Sequence, residues 1–176
     1  MPAFIRMLAV FAFAVALNTQ ASAEGLFGSR NKYDRQTVDF ESGEAPGTII
    51  VDTRQKFLYF FLGDGEAIRY GIGVGRQGFT WSGTNRISRK AKWPAWNPPA
   101  AMRKRDPKLP VSMAGGPRNP LGARALYLGS TLYRIHGTND TRSIGRNVSS
   151  GCIRLLNANI IDLYNRVSIG AKVIVR

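Results

Sequence analysis

Two side chains that most proteins carry in several copies occur here once each: the 176 residues include one cysteine, Cys152, and one histidine, His136. A lone thiol excludes a disulfide within the chain. One Cys and one His are also too few soft ligands for a structural zinc site, which takes four, so no metal site is expected. Acidic residues are scarce as well, with 11 Asp and Glu against 25 Lys and Arg and a formal net charge of +14. Such an imbalance bears on partners and solubility more than on fold. The basic residues are scattered and no nucleic-acid motif organises them, so no specific nucleic-acid partner is read; anionic envelope polymers are the better match. No apolar run reaches the roughly 20 residues that a spanning helix needs.

The longest apolar stretch, Met7 to Leu17, follows Arg6 and leads to Ala21-Ser22-Ala23. A short apolar core ending in a small-x-small site reads as a secretory signal peptide over residues 1–23; a retained membrane anchor is the competing reading. Export to the periplasm or cell envelope follows, with no transmembrane segment after cleavage. Residues 24–45 are polar and unpatterned and are expected to form a flexible leader to a single domain over 46–176. Exported proteins usually pair their cysteines, and an unpaired thiol there is a liability unless its chemistry is wanted.

The domain opens with strand patterns. Gly47 to Val51 is a β-branched run, Lys56 to Phe61 is aromatic-rich, and Ile68, Tyr70, Ile72 and Val74 alternate with Arg69, Gly71 and Gly73. These three runs predict a meander. Gly73, Gly75 and Gly78 fit the spacing of a dinucleotide fingerprint, but that fingerprint needs a helix directly after it, and Phe79-Thr80-Trp81-Ser82-Gly83 is not helical in pattern. Most of the nine prolines fall between Trp93 and Pro120. Their density argues against regular helix or central strand and predicts an irregular wall or lid over a groove. Further strands are expected at 125–128, 132–136, 151–155 and 172–175. A helix capped by Asn157 would show one apolar face through Ile160, Leu163, Tyr164 and Val167. The expected fold class is mainly β, a sandwich or barrel-like architecture with one clear helix after Cys152.

Cys152 and His136 lie sixteen positions apart, each at the edge of a predicted strand. A thiol is strongly nucleophilic only as thiolate, and a neighbouring imidazole can take its proton, holding the two as thiolate and imidazolium. A lone Cys is more often a small buried hydrophobe, but Gly151 just before it permits close approach of a carbonyl and frees the Gly151 and Cys152 amides as an oxyanion hole. On a strand, Arg154 faces the same way as Cys152 and can fork onto a substrate carboxylate; a structural ion pair or a solvated charge is the alternative.

The run His136-Gly137-Thr138, Ser143-Ile144-Gly145, Ser149-x-Gly151-Cys152-Ile153-Arg154-Leu155-x-Asn157, then Asp162-Leu163-Tyr164, resembles the L,D-transpeptidase (YkuD-type) catalytic domain. Thr80-x-x-Gly83, Pro94-x-Trp96-x-Pro98-Pro99 and Asn119-Pro120-Leu121-Gly122 add to the resemblance, which covers roughly Thr48 to Val175. It implies an exported single-domain enzyme without cofactor, acting on peptidoglycan stem peptides and open to carbapenem-type inhibitors. Cys152 would attack the carbonyl of the third stem residue, expelling D-alanine, and an acceptor amine would resolve the acyl-enzyme into a cross-link. Relatives that use water or a lipoprotein lysine as acceptor leave an L,D-carboxypeptidase or a wall–lipoprotein ligase open, and a non-catalytic basic wall-binding module is the rival from another class. The resemblance further implies that a backbone carbonyl, here Gly137, orients His136, and that Ser149 and Thr138 join Arg154 in binding substrate. Two departures stand out. Ser150 occupies a position where many relatives carry His, and Trp81 one where many carry Pro.

Overall fold

The computed structural model describes residues 31–176; the expected signal peptide and the first residues of the leader lie outside the described residues. Eleven strands and two helices follow in order: β1 (Gln36–Asp39), β2 (Ile49–Asp52), β3 (Phe57–Gly63), β4 (Glu66–Gly71), β5 (Val74–Gly75), β6 (Gly83–Lys92), α1 (Ala100–Arg105), β7 (Arg124–Leu128), β8 (Arg134–His136), β9 (Asn147–Ser149), β10 (Ile153–Arg154), α2 (Asn157–Arg166) and β11 (Lys172–Val175). The architecture is mainly β with one substantial helix, as the strand patterns predict.

Nine strands share one sheet in the order β1-β4-β3-β2-β11-β6-β7-β8-β10, while β5 and β9 pair separately. β2, β3 and β4 form the expected antiparallel meander, with Ile49 opposite Phe60 and Phe60 opposite Ile68. β11 inserts parallel to β2 and antiparallel to β6, joining the meander to the half that carries the chemistry. There β6, β7 and β8 run antiparallel, and β10 adds in parallel to β8.

The main core lies between this sheet and α2. Leu126, Leu128, Ile135, Ile153 and Leu155 meet Ile160, Leu163 and Val167, all of them buried. The helix residues recur at i, i+3 and i+7, which sets them on one face. Each fully buried aliphatic side chain contributes about 1.5–3 kcal/mol by leaving water, so this seam fixes the backbone on which β8 and β10 stand. A second cluster on the other face of the meander joins Phe57, Tyr59 and Phe61 to Tyr33, Val38 and Phe40.

Four expectations change. Residues 36–39, inside the expected leader, form β1 and pair with β4, because Val38 and Phe40 cover the aromatic face of β3. The proline-rich segment contains the short helix α1, which starts directly after Pro99, a place where a missing N–H costs nothing. β6 escapes a reading by alternation because Ile87 is its only buried residue; hydrogen bonds to β11 and β7 hold it, and Arg89 and Lys90 lie on the rings of Tyr127 and Tyr164 at 3.6 and 4.4 Å. Asn157 is the first helical residue rather than the cap, and its Oδ1 accepts the Ala123 N–H at 2.9 Å, tying α2 to the start of β7.

Candidate active site

The parallel register sets Ile153 beside Ile135 and Arg154 beside His136, and the Leu155 N–H donates to the His136 carbonyl at 2.8 Å. Side chains alternate along strands. The two isoleucines therefore enter the core, and Arg134, His136, Cys152 and Arg154 turn to the opposite side, where all four line one cleft of about 720 Å³. The only thiol and the only imidazole of the chain share that cleft. On its other edge Arg154 exchanges backbone hydrogen bonds with Gly73 at 2.8 and 2.9 Å, and a side chain at Gly73 would strike the Ser143 carbonyl of the loop between His136 and Cys152. That close approach explains the glycine, and no helix follows Gly78: the chain turns with Phe79 N–H to Arg76 O at 2.9 Å and enters β6.

His136 is buried and its Nδ1 lies 2.5 Å from the Gly137 carbonyl. A carbonyl can only accept, so Nδ1 carries the hydrogen and Nε2 is the basic nitrogen. Burial, then the charges of Arg154 and Arg134, push the imidazole down to about 3, against the carbonyls of Gly137 and Leu121, which pull upward. Burial pushes the Cys152 thiol up, opposed by hydrogen bonds and charge from Arg134 and by the charge of Arg154. Both shifts favour the uncharged thiol and the uncharged imidazole, against the expectation of a standing thiolate–imidazolium pair.

The turn before the nucleophile is braced from several directions. Ser149 Oγ donates to the Cys152 carbonyl at 2.5 Å and accepts the Gly151 N–H at 3.1 Å. Gly151 has φ 104°, and a Cβ there would run into the Tyr133 ring. Trp81 stacks on that ring with centroids 4.5 Å apart and planes within 5°, and its Nε1–H donates to the Gly151 carbonyl at 2.8 Å. Arg76 reaches Ser150 Oγ at 3.4 Å. Both departures from the family pattern thus take part in holding this turn.

This bracing revises three site expectations. The Gly151 amide is committed to Ser149, which leaves the Cys152 amide, without a hydrogen-bond partner among the described residues, as the available oxyanion donor. Ser149 lines the cleft, but its hydroxyl serves the turn. Thr138 is buried and is not among the residues lining the cleft, and its Oγ1 accepts the Asp140 N–H at 3.0 Å in the loop after His136. Arg154 has no carboxylate within ion-pair distance among the described residues.

The segment from 93 to 120 forms a wall of the cleft through Trp96, Pro99, Met102, Leu109 and Pro120. It is fixed in place: Trp96 and Met113 exchange backbone hydrogen bonds at 2.8 Å, and the buried Asn119 amide donates to the carbonyls of Pro94, Met113 and Ala114. Arg76, Arg105, Arg134 and Arg154 line the cleft with one acid, Asp106, giving an electropositive mouth suited to an anionic ligand. No cluster of metal-ligating side chains occurs among the described residues. Arg134 and Tyr133 escape the sequence reading, which marks Trp81 only as a departure from the family pattern. Arg134 had a usable signal, since it sits two residues before His136 on a strand and must share its face.

Known proteins resemble this chain over most of its described length. The L,D-transpeptidase catalytic domain (YkuD) family matches residues 46–175. The Escherichia coli (strain K12) protein described as "Probable L,D-transpeptidase YbiS" is 38% identical over 135 residues, 72% of this chain and 43% of that protein, so this chain spans less than half the length of that relative. A crystal structure from Brucella melitensis, described as a "Probable carnitine operon oxidoreductase caia", is 43% identical, with a TM-score of 0.56 over 81% of this chain and 93% of that one. L,D-transpeptidase 3 from Mycobacterium tuberculosis, solved with a faropenem-derived adduct, shares the fold at 19% identity, with a TM-score of 0.56 over 73% of this chain and 59% of that one.

Proposed function

This chain belongs to the YkuD family of L,D-transpeptidase catalytic domains, and we propose that it transfers acyl groups between peptidoglycan stem peptides through Cys152. The observation that carries this reading is the meeting of the sole thiol and the sole imidazole in one arginine-lined cleft. His136 Nε2 takes the thiol proton as the sulfur attacks the carbonyl carbon of the third stem residue. The tetrahedral oxyanion meets the Cys152 N–H. His136 then gives its proton to the departing amine, D-alanine leaves, and a thioester remains. An acceptor amine attacks the thioester, transfers a proton to His136 and releases the free thiol with a new amide bond. Arg154 supports the reading by offering a guanidinium to a stem carboxylate.

Burial favours the neutral imidazole, the form a general base must have before it takes the thiol proton. The Gly137 carbonyl does the orienting that an acidic side chain does in many triads. We place the reaction in the periplasm or cell envelope, on the strength of the N-terminal apolar run with its small-x-small site. Among the described residues no helix is long and apolar enough to cross a membrane. Carbapenem-type drugs should acylate Cys152, by analogy with the adduct carried by the mycobacterial relative.

A tetrapeptide stem supplied with and without an acceptor amine tests the reading by product mass. Wild type releases D-alanine and forms the amide-linked product, and Cys152→Ala does neither while keeping its fold. Turnover to a tripeptide alone, with acceptor present, would assign a carboxypeptidase. Product formation by Cys152→Ala would remove the mechanism.

A further inference from the structure

Arg134 is absent from the roles assigned above, yet it lines the same cleft as the reacting sulfur. β8 and β10 are parallel with Arg154 beside His136, so two residues back along both chains Arg134 lies beside Cys152. Both point into the cleft. No carboxylate lies within ion-pair distance of Arg134 among the described residues, and its Nε is buried without a hydrogen-bond partner. The cation is held by an aromatic face: Arg134 lies 5.1 Å from the Tyr127 ring, which Arg89 approaches at 3.6 Å. Arg134 is half-buried, and a guanidinium with a buried, unpartnered Nε and no acid in reach is costly to hold unless an anion forms beside it. The anion that forms there in every turnover is the sulfur.

We propose that Arg134 is a catalytic residue whose guanidinium stabilises Cys152 as it becomes a thiolate, taking the part that an imidazolium plays in other Cys–His pairs. The inference rests on Cys152 being the nucleophile. The backbone of Arg134 and then its charge favour the ionised sulfur against the burial that disfavours it, while the thiol itself lies 3.9 Å from the Leu132 carbonyl. The same arginine, with Arg154, disfavours a charged imidazole. The proton on His136 is therefore only briefly held, and the sulfur's charge partner is the arginine pair. Other charged groups facing the cleft are Arg76 and Arg105, which flank the Phe79 ring at 4.2 and 5.2 Å, and Asp106; Asp140 acts on Arg154 from the loop after His136. None of these stands at the register position beside Cys152.

Because Cys152 is the only thiol, the rate of iodoacetamide alkylation against pH reports this sulfur alone, and it needs no stem peptide. It therefore reads the proposal even if the substrate assignment fails. Arg134→Met keeps an aliphatic stem to lie on Tyr127 and loses the charge; Arg134→Lys keeps the charge. With near-UV circular dichroism unchanged, Arg134→Met should move the alkylation profile to higher pH by about one unit, about tenfold slower labelling at a fixed pH on the rising limb. Arg134→Lys should recover most of that loss. An unmoved profile in folded Arg134→Met overturns the proposal, and an unmoved profile with a raised KM for the tetrapeptide would assign Arg134 to substrate carboxylate binding instead.

Discussion

On the proposed mechanism, His136 stays available as a base in acid because the fold disfavours its charged form. An exposed imidazole titrates near 6.5, but burial and the arginines beside this one hold it neutral far into the acid range. The sign follows directly: a base whose pKa is lowered stays in its active, unprotonated form as pH falls. Acylation by a tetrapeptide at pH 5.5 should therefore remain within about twofold of its rate at pH 7, whereas an ordinary imidazole would cost about tenfold. Stopped-flow release of D-alanine across this range checks it; an acid limb centred near 6.5 would contradict it. Trp81 makes a second residue-scale claim. Trp81→Phe retains the stack on Tyr133 but leaves the Gly151 carbonyl without its donor. The expected cost is about 1–2 kcal/mol in unfolding free energy, together with slower acylation as the turn holding Cys152 loosens, measured by denaturant titration and burst amplitude.

At the scale of elements, α2 does more than fill the core. Asp162 on its outer side accepts the Tyr70 hydroxyl at 2.6 Å, the Arg166 guanidinium at 3.0 and 3.1 Å, and Arg35 at 3.2 Å. One carboxylate thus ties the helix to the meander and to the segment before β1. Burial raises its pKa, but the hydrogen bonds from Arg166 and Tyr70 and the charges of Arg35 and Arg166 outweigh that and hold it below the usual carboxylate range. For an acid with a depressed pKa, the stabilisation is present above the unfolded value near 3.9 and lost as pH falls through the folded one. Asp162→Asn should be less stable than wild type at pH 7, by about 2 kcal/mol, and the gap should close as pH falls below the usual carboxylate range. Calorimetry at pH 7 and below that range decides it. A gap that persists at low pH would mean the contribution is packing, not charge.

Over the whole molecule, what the chain displays and what it conceals divide along physical lines. The meander, β7, β8, β11 and α2 are legible because their apolar residues recur with a period of two or 3.6. Cys152, His136 and the Gly137 carbonyl are legible because they sit in a specific block with nothing else of their kind nearby. β1, β6 and β9 are not, since strands made largely of polar residues and held by hydrogen bonds to their neighbours leave no periodic trace. Nor can spacing tell that Ser149 has taken the Gly151 amide, or that Trp81 has closed over Gly151, because both depend on contacts across the fold. The proline-rich wall was visible as a wall, but α1 within it was hidden by the prolines that introduce it.

All of these parts converge on one thiol, so the most direct test is the intact mass of the purified protein after brief exposure to a carbapenem. The account predicts a single adduct of the drug's mass on wild type and none on Cys152→Ala. No adduct on correctly folded wild type, or an adduct that survives Cys152→Ala, would contradict it.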